Sequence, residues 1–264
     1  MNLALTGRVA LVTGGSKGIG RAIVQALAED GARVAATARG PKSLQTMAKE
    51  LSEFKILTIA ADATNQEAVN SAVNHVIDTY GGLDILVNNV GGAGRFGGFS
   101  DLMDADWRSA FDLNVLSVVH FVRAAELYLR KSANGRIINI SSIAGAQPGT
   151  FNPHYTVTKA ATINLSKVLA NYFVKAGVLV NVVCPGPVHS DSWDDNVRRL
   201  ASERGIAVDE AWEQVEREES SKIPLGRVGE GKDVAGLVAF LASDKASWIT
   251  GSCFHVNGGK LSTI

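Results

Sequence analysis

The stretch Val9–Ile23, VALVTGGSKGIGRAI, decides how the rest of the chain is read. A short apolar run ends at Thr13. Glycines then fall at 14, 18 and 20, a G-x-x-x-G-x-G spacing, and a helix-like segment begins. Glycines in such a turn allow a tight bend and let backbone N–H groups approach a pyrophosphate at a helix N-terminus. Glycines alone would mark only a strand–helix turn. The position after a strand, before a helix and at the start of a β–α–β unit is what points to a nucleotide.

Working outward, the same rhythm repeats. Short apolar runs occur at Val9–Val12, Arg33–Ala36, Ile56–Ala60, Leu83–Val87, Arg136–Ile140, Leu179–Cys184 and Ser252–Val256. Several are nearly continuous Val, Ile, Leu and Ala, as expected of strands covered on both faces. Helical segments are predicted near 18–30, 42–53, 65–80, 103–131, 155–176 and 231–242. In the last, Val234, Leu237, Val238 and Leu241 form an i, i+3, i+4, i+7 stripe. The alternation predicts an α/β fold, a doubly wound parallel sheet of about seven strands with helices on both faces, in a single domain over 1–264. Residues 188–226 break the rhythm, being charged and carrying Trp193 and Trp212. They are too few for a good core of their own and read as an excursion from the sheet.

Composition narrows the function. The 264 residues include 26 basic and 26 acidic side chains, with 46% hydrophobic and 20% charged residues. Zero net charge gives no bulk electrostatic case for nucleic acid or an anionic membrane. No apolar run approaches the ~18–20 residues of a membrane span. The N-terminus lacks a basic n-region, so the expected location is the cytoplasm. Cys184 and Cys253 lie in apolar runs and read as packed small hydrophobes, in keeping with a reducing compartment. The histidines at 75, 120, 154, 189 and 255 are scattered, with no metal-ligand spacing.

Two basic residues bear on the nucleotide. Lys17 opposes the helix macrodipole unless an anion lies beside it. Arg39 ends the second strand, where an NAD-binding fold usually shows Asp or Glu for the ribose 2′-hydroxyl. An arginine there suits a 2′-phosphate through a charge-assisted contact. Lys17 and Arg39 together predict NADP(H) in preference to NAD(H). Asp62, after the third strand, either accepts from the adenine amino group or caps the helix starting near Asn65.

The chain resembles the short-chain dehydrogenase/reductase family, in its compact single-domain branch. The matching residues run in order through nearly the whole length: Thr13-Gly14-x-x-x-Gly18-x-Gly20, Asn88-Asn89-Val90-Gly91, Asn114, Ser142, Tyr155-x-x-x-Lys159 and Pro185-Gly186. The resemblance implies a Rossmann-type fold and a cofactor site that includes Ser16, Ile19, Ala63, Asn89, Gly91, Pro185, Gly186, Val188 and Ser190. Val90 replaces the alanine usual in the family.

The catalytic set implied is Asn114, Ser142, Tyr155 and Lys159. Tyr155 and Lys159, at i and i+4, share a helix face. A free tyrosine titrates near ~10, and a nearby ammonium is expected to lower that value into a useful range. Ser142, rather than its neighbour Ser141, is expected to bond the substrate oxygen, because consecutive strand residues point opposite ways. In the family Asn114 holds a water that links Lys159 to solvent; the residue-level alternative is a buried amide satisfied by backbone.

For substrate, the resemblance implies a small-molecule ketone, aldehyde or secondary alcohol. It casts 188–226 as a lid over the active site. Arg95 and Phe96, in the glycine-rich segment 91–99, and His189 and Trp193 in the lid are the candidate substrate contacts. A 3-oxoacyl-thioester reductase is the sharper alternative. A non-catalytic dinucleotide-binding regulator is the rival of another class, with no need of Ser142, Tyr155 and Lys159 together. The family is usually homotetrameric.

Overall fold

A computed structural model describes residues 3–262. Strands β1 (Val9–Thr13), β2 (Arg33–Ala38), β3 (Leu57–Ala60), β4 (Ile85–Asn88), β5 (Arg136–Ile140), β6 (Leu179–Pro185) and β7 (Cys253–Val256) make one sheet in the order β3-β2-β1-β4-β5-β6-β7. All neighbouring pairs are parallel. The predicted runs match these strands to within a residue or two.

Side chains alternate across the sheet and seed two cores. On one face Ala10 and Val12 of β1 pack with α1 (Gly18–Glu29), α2 (Pro41–Glu50) and α9 (Gly231–Ala242), through Ile23, Leu27, Leu44, Val234 and Val238. On the other, Val9 and Leu11 pack with α3 (Gln66–Tyr80), α5 (Ser117–Lys131) and α6 (Pro153–Phe173), through Val73, Phe121, Leu129 and Phe173. Every residue of β1, β4 and β5 is buried, which is why these strands read as unbroken apolar runs. Truncating a fully buried Phe121 or Phe173 to alanine would cost about 3–5 kcal/mol.

The single helix expected over 103–131 is divided. α4 (Asp104–Phe111) runs into a π-helical turn at Asp112–Leu116, and α5 follows. Such turns insert one extra residue into the helical repeat and re-aim a side chain. The residue re-aimed here is Asn114. The excursion at 188–226 contains α7 (Asp191–Arg204) and α8 (Val208–Ser220). They pack on each other through Val197, Ala201, Ala211 and Val215, with Trp193, Leu200 and Ile206 at the margin. Among the described residues no helix is long and apolar enough to cross a membrane.

Candidate active site

The strand order reverses beside β1, with β2 and β3 on one side and β4 to β7 on the other. In parallel sheets the crevice at such a reversal, outside the carboxyl ends of the strands, is where ligands bind. Every predicted site residue lies on a segment leaving those ends or on a helix leaning over them.

The glycine turn after β1 is held from both sides. Thr13 Oγ1 accepts from the backbone N–H groups of Asn89 and Val90, at 2.9 and 3.1 Å. Asn89 Nδ2 donates back to the carbonyls of Thr13 and Gly14. A Cβ on Gly20 would stand 2.1 Å from the Gly14 carbonyl oxygen, so no other residue fits there. Gly14 and Gly18 have φ of +65° and +54°, the left-handed region glycine favours.

α1 begins without a side-chain cap and with no acidic residue in its first turn. Its free N–H groups and positive dipole end suit a phosphate. Ser16 is buried in this turn, and Ile19 packs on the core below it. Lys17 has an anionic neighbour, but it is protein: Nζ lies 2.6 Å from Asp191 Oδ2 at the start of α7. Ser190, which caps α7 by accepting from the Trp193 N–H, stands over Gly18, where an added Cβ would sit 3.3 Å from its own Cβ.

Arg39 is exposed just beyond β2. Asp62 lies near enough to feel its charge. The Asp62 carboxyl is held below its ordinary value, first by hydrogen bonds from the backbone and hydroxyl of Thr64 and to a lesser degree by Arg39. The helix-capping alternative for Asp62 is settled against it. Asn65 caps α3, accepting from Glu67 and Ala68 N–H groups at 3.0 Å. Ala63 is buried beside Asp62, its carbonyl 3.2 Å from His120 Nδ1.

Ser142, Tyr155 and Lys159 come together at the end of β5. Lys159 is only 3% exposed, and its Nζ donates to the Ile140 carbonyl at 3.1 Å. The same ammonium lies 5.6 Å from the centroid of the Tyr155 ring. Ser141 and Ser142 diverge as the alternation predicts. Ser141 is buried and donates to the Lys159 carbonyl, whereas half-buried Ser142 bonds the Tyr155 hydroxyl.

The expected lowering of the Tyr155 pKa is not found. Burial pushes the phenol up; the hydrogen bond with Ser142 only partly opposes this. The Lys159 ammonium lies over the ring and is directed at Ile140. Burial drives Lys159 itself down to about 8. Desolvation thus acts on both groups toward neutrality.

Asn114 is 1% exposed, and its amide is satisfied by backbone. Nδ2 donates to the carbonyls of Gly92 and Ala110, both at 2.9 Å, and Oδ1 accepts from the Gly92 N–H at 2.9 Å. Its own carbonyl accepts from Thr162 Oγ1 at 3.1 Å. The side chain therefore ties the loop after β4 to the π turn. A Cβ on Gly91 would lie 2.7 Å from Asn114 Oδ1 and 2.8 Å from Lys159 Nζ, which explains the glycine. The sequence reading missed Asn139. It accepts from Asn88 Nδ2 and donates to Ser166 Oγ, each at 2.8 Å, in a buried row joining β4, β5 and α6. A lone asparagine amid isoleucines in RIINI was the available signal.

After β6, Gly186 packs so closely on Asn257 that a Cβ would lie 2.9 Å from its Cα. Pro185 pairs with Val256, and Val188 forms a bridge with Gly229. His189 lies between two indoles, 5.4 Å from Trp193 and 5.6 Å from Trp212, with Nε2 2.7 Å from Glu216. The Trp193 indole nitrogen is buried without a partner. Arg95 is exposed and lies 3.5 Å from Asp106. Arg199 of α7 reaches the segment that carries Phe96. Its guanidinium lies over Phe96 and Phe151, 5.4 and 5.3 Å from their ring centroids. No periodicity in the sequence could have brought Arg199 to Phe96.

A family model described as enoyl-(acyl carrier protein) reductase matches residues 14–260. The chain belongs to the short-chain dehydrogenase/reductase family. It is 36% identical over 255 residues to the 3-oxoacyl-[acyl-carrier-protein] reductase of Haemophilus influenzae, covering 97% of this chain and 98% of that one. Against the enzyme of the same name from Escherichia coli K12 it is 35% identical over 254 residues, covering 96% and 97%. Among solved structures, L-sorbose reductase from Gluconobacter frateurii, complexed with NADPH and L-sorbose, superposes with a TM-score of 0.93 at 32% identity over the whole of both chains. Thermoplasma acidophilum aldohexose dehydrogenase gives 0.88 at 30% identity, over 98% of this chain and 96% of that one. This short-chain dehydrogenase/reductase is an oxidoreductase with the Rossmann-type fold of its structural neighbours.

Proposed function

We propose that the enzyme is an NADP(H)-dependent reductase of ketones and aldehydes, reversible with secondary alcohols, in which Tyr155 is the proton donor and acceptor. The observation that carries this reading is the meeting of Ser142, Tyr155 and Lys159 beside an uncapped helix N-terminus at the sheet's reversal point. When bound, the dinucleotide supplies the hydride.

The chain's residues hold and orient. Glycines 14, 18 and 20, with Ser16 and Ile19, cradle the diphosphate. Arg39 takes the 2′-phosphate, and Lys17 adds charge once exchanged from Asp191; the solved reductase that carries NADPH supports the choice of cofactor. Asp62 and Ala63 bound the adenine end. Asn89, Gly91, Pro185, Gly186, Val188 and Ser190 line the nicotinamide end. Lys159 holds the nicotinamide ribose, and Ser142 steadies the substrate oxygen while Tyr155 gives its proton. With its pKa raised, Tyr155 keeps that proton at neutral pH, the form reduction requires. Asn114 positions Lys159 through the Gly91–Gly92 backbone.

Residues 188–226 act as a lid within a single domain, with Trp193, His189 and Phe96 against the substrate. The 36% identity to a 3-oxoacyl-[acyl-carrier-protein] reductase over 97% of the chain favours 3-oxoacyl thioesters as one substrate class. Exposed Leu127, Val168 and Tyr172 on α5 and α6 support the homotetramer, and a cytoplasmic location is in keeping with both cysteines being free.

The test is NADPH consumption across a panel of ketones, sugars and 3-oxoacyl thioesters, for wild type and Tyr155→Phe. Wild type is expected to turn over at least one class. The variant should bind NADPH as well as wild type and lose most of kcat. Tight NADPH binding with no turnover on any carbonyl would favour the non-catalytic regulator instead.

A further inference from the structure

The two cysteines and one of the scattered histidines do not behave as isolated residues in the fold. In the β6–β7 pairing, Cys184 stands opposite His255, and Val182 opposite Cys253. Side chains alternate along a strand. Cys253 and His255 therefore project from one face of β7, while Phe254 and Val256 between and after them pack on the opposite core. Cys184 projects from that same face, the one α6 covers, since Val180 two turns of the pleat earlier joins the α6 core and Val183 the opposite one. The three ligand atoms meet. Cys184 Sγ is 3.4 Å from Cys253 Sγ, Cys253 Sγ is 3.7 Å from His255 Nε2, and all three lie within 4.8 Å of one another.

We propose that Cys184, Cys253 and His255 form a binding site for a thiophilic divalent cation of the zinc type, on the sheet face that carries Tyr155 and Lys159. Zinc bonds of about 2.3 Å to sulfur and 2.0 Å to nitrogen, at tetrahedral angles, separate two sulfurs by about 3.8 Å and a sulfur from a nitrogen by about 3.6 Å. The Cys184–Cys253 and Cys253–His255 separations are already close to those values, and rotation of the exposed His255 imidazole brings it toward Cys184, from which it lies within 4.8 Å. Two soft sulfurs with an imidazole select zinc, cobalt or cadmium over magnesium or calcium. Cys184 is buried and fixes the inner corner; Cys253 and His255 are exposed, giving the ion a route in and leaving the fourth position to water. A disulfide would use only the sulfurs and leave the convergence of His255 without a purpose. The sequence could not show the site, because its ligands lie 69 residues apart and meet only through the pairing of β6 with β7.

The experiment is a Co²⁺ titration of the reduced, chelator-stripped full chain, followed by Zn²⁺ competition. One equivalent of Co²⁺ is expected to raise a thiolate-to-cobalt charge-transfer band and the intense visible bands of tetrahedral cobalt. Zn²⁺ should bleach both, and Mg²⁺ and Ca²⁺ should not. Cys253→Ser, an isosteric change at an exposed position, should reduce the charge-transfer intensity and weaken binding. His255→Gln should keep sulfur bands but shift the visible ones. Absence of any band in the wild type overturns the proposal, as does a spectrum unchanged by both substitutions. Rapid closure of a Cys184–Cys253 disulfide in air, with no metal affinity in the reduced protein, overturns it too.

Discussion

Replacing Lys159 with methionine should make the cofactor-free enzyme more stable at neutral pH while abolishing its turnover. Lys159 is 3% exposed, and burial lowers its pKa from 10.5 to about 8. At about 1.4 kcal/mol per pKa unit, keeping this ammonium charged inside the fold costs about 3 kcal/mol. The sign follows from proton binding. Below pH 8 both folded and unfolded chains carry the proton, so the full cost is present. Between pH 8 and 10.5 the unfolded chain binds more protons than the folded one, and stability rises with pH until the cost is gone. Methionine has nearly the same length and no charge. It forfeits the hydrogen bond to the Ile140 carbonyl, a loss of about 1 kcal/mol, leaving a net gain of about 2 kcal/mol. For a chain of this size that is a rise in Tm of roughly 4–8 °C. The assay is thermal or urea unfolding without cofactor, at fixed protein concentration, near neutral pH and again near pH 10. The gap between variant and wild type should close at the higher pH. A variant less stable than wild type at neutral pH, or a gap that does not move with pH, would refute the reasoning.

Three further outcomes are expected. Arg39→Asp should move the ratio of kcat/KM for NADPH over NADH toward NADH by about ten- to a hundredfold, the worth of one charge-assisted contact; equal use of both cofactors by wild type would contradict the role given to Arg39. Gly91→Ala should lower kcat by about tenfold or more, because its Cβ collides with Asn114 Oδ1 and Lys159 Nζ at 2.7 and 2.8 Å, while steady-state NADPH binding at the distant adenine end persists. Alcohol oxidation needs the phenolate, so with the Tyr155 pKa raised its rate should climb with pH well above neutrality, while carbonyl reduction falls; an oxidation rate flat across that range would count against Tyr155 as the base.

The parallel sheet could be read from the chain because its central strands are buried on both faces and so appear as unbroken apolar runs. The glycine turn was legible for a similar reason: backbone that must approach backbone excludes side chains, as Gly20 against the Gly14 carbonyl shows. The π turn at Asp112–Leu116 was not legible, since the extra residue leaves the apolar pattern of 103–131 almost intact. Nor was the balance at Tyr155. The i, i+4 spacing places an ammonium near a phenol but says nothing of solvent, and desolvation outweighs the opposing hydrogen bond with Ser142 here. The expected partner of Lys17 was an anion, and the sequence could not distinguish a phosphate from the carboxylate of Asp191, 174 positions away. The neighbour of Arg95 was hidden in the same way: Asp106, on the next helix, is invisible to any local pattern.

These differences sort by how the residues are held. Beneath the crevice, Asn88, Asn139, Ser166, Thr162, Asn114 and Lys159 are buried and joined by hydrogen bonds to one another or to backbone carbonyls. Removing one member of such a row strands its partners, so the row fixes Lys159 and the Gly91–Gly92 backbone in one geometry. Above the crevice the fastening is of another kind. The first turn of α7 is clasped by Lys17 and Asp191, an exposed ion pair, and Arg199 of the same helix rests on the rings of Phe96 and Phe151. An exposed pair of that sort contributes at most about 1 kcal/mol. At the proposed cofactor site a phosphate arriving at α1 would therefore take Lys17 from Asp191 at little cost, releasing the turn on which Ser190 and Trp193 sit. The proton chemistry proposed for Tyr155 and Lys159 is thus held on hydrogen-bonded backbone, while the proposed substrate contacts His189 and Trp193 ride on a segment whose attachment the cofactor would compete for.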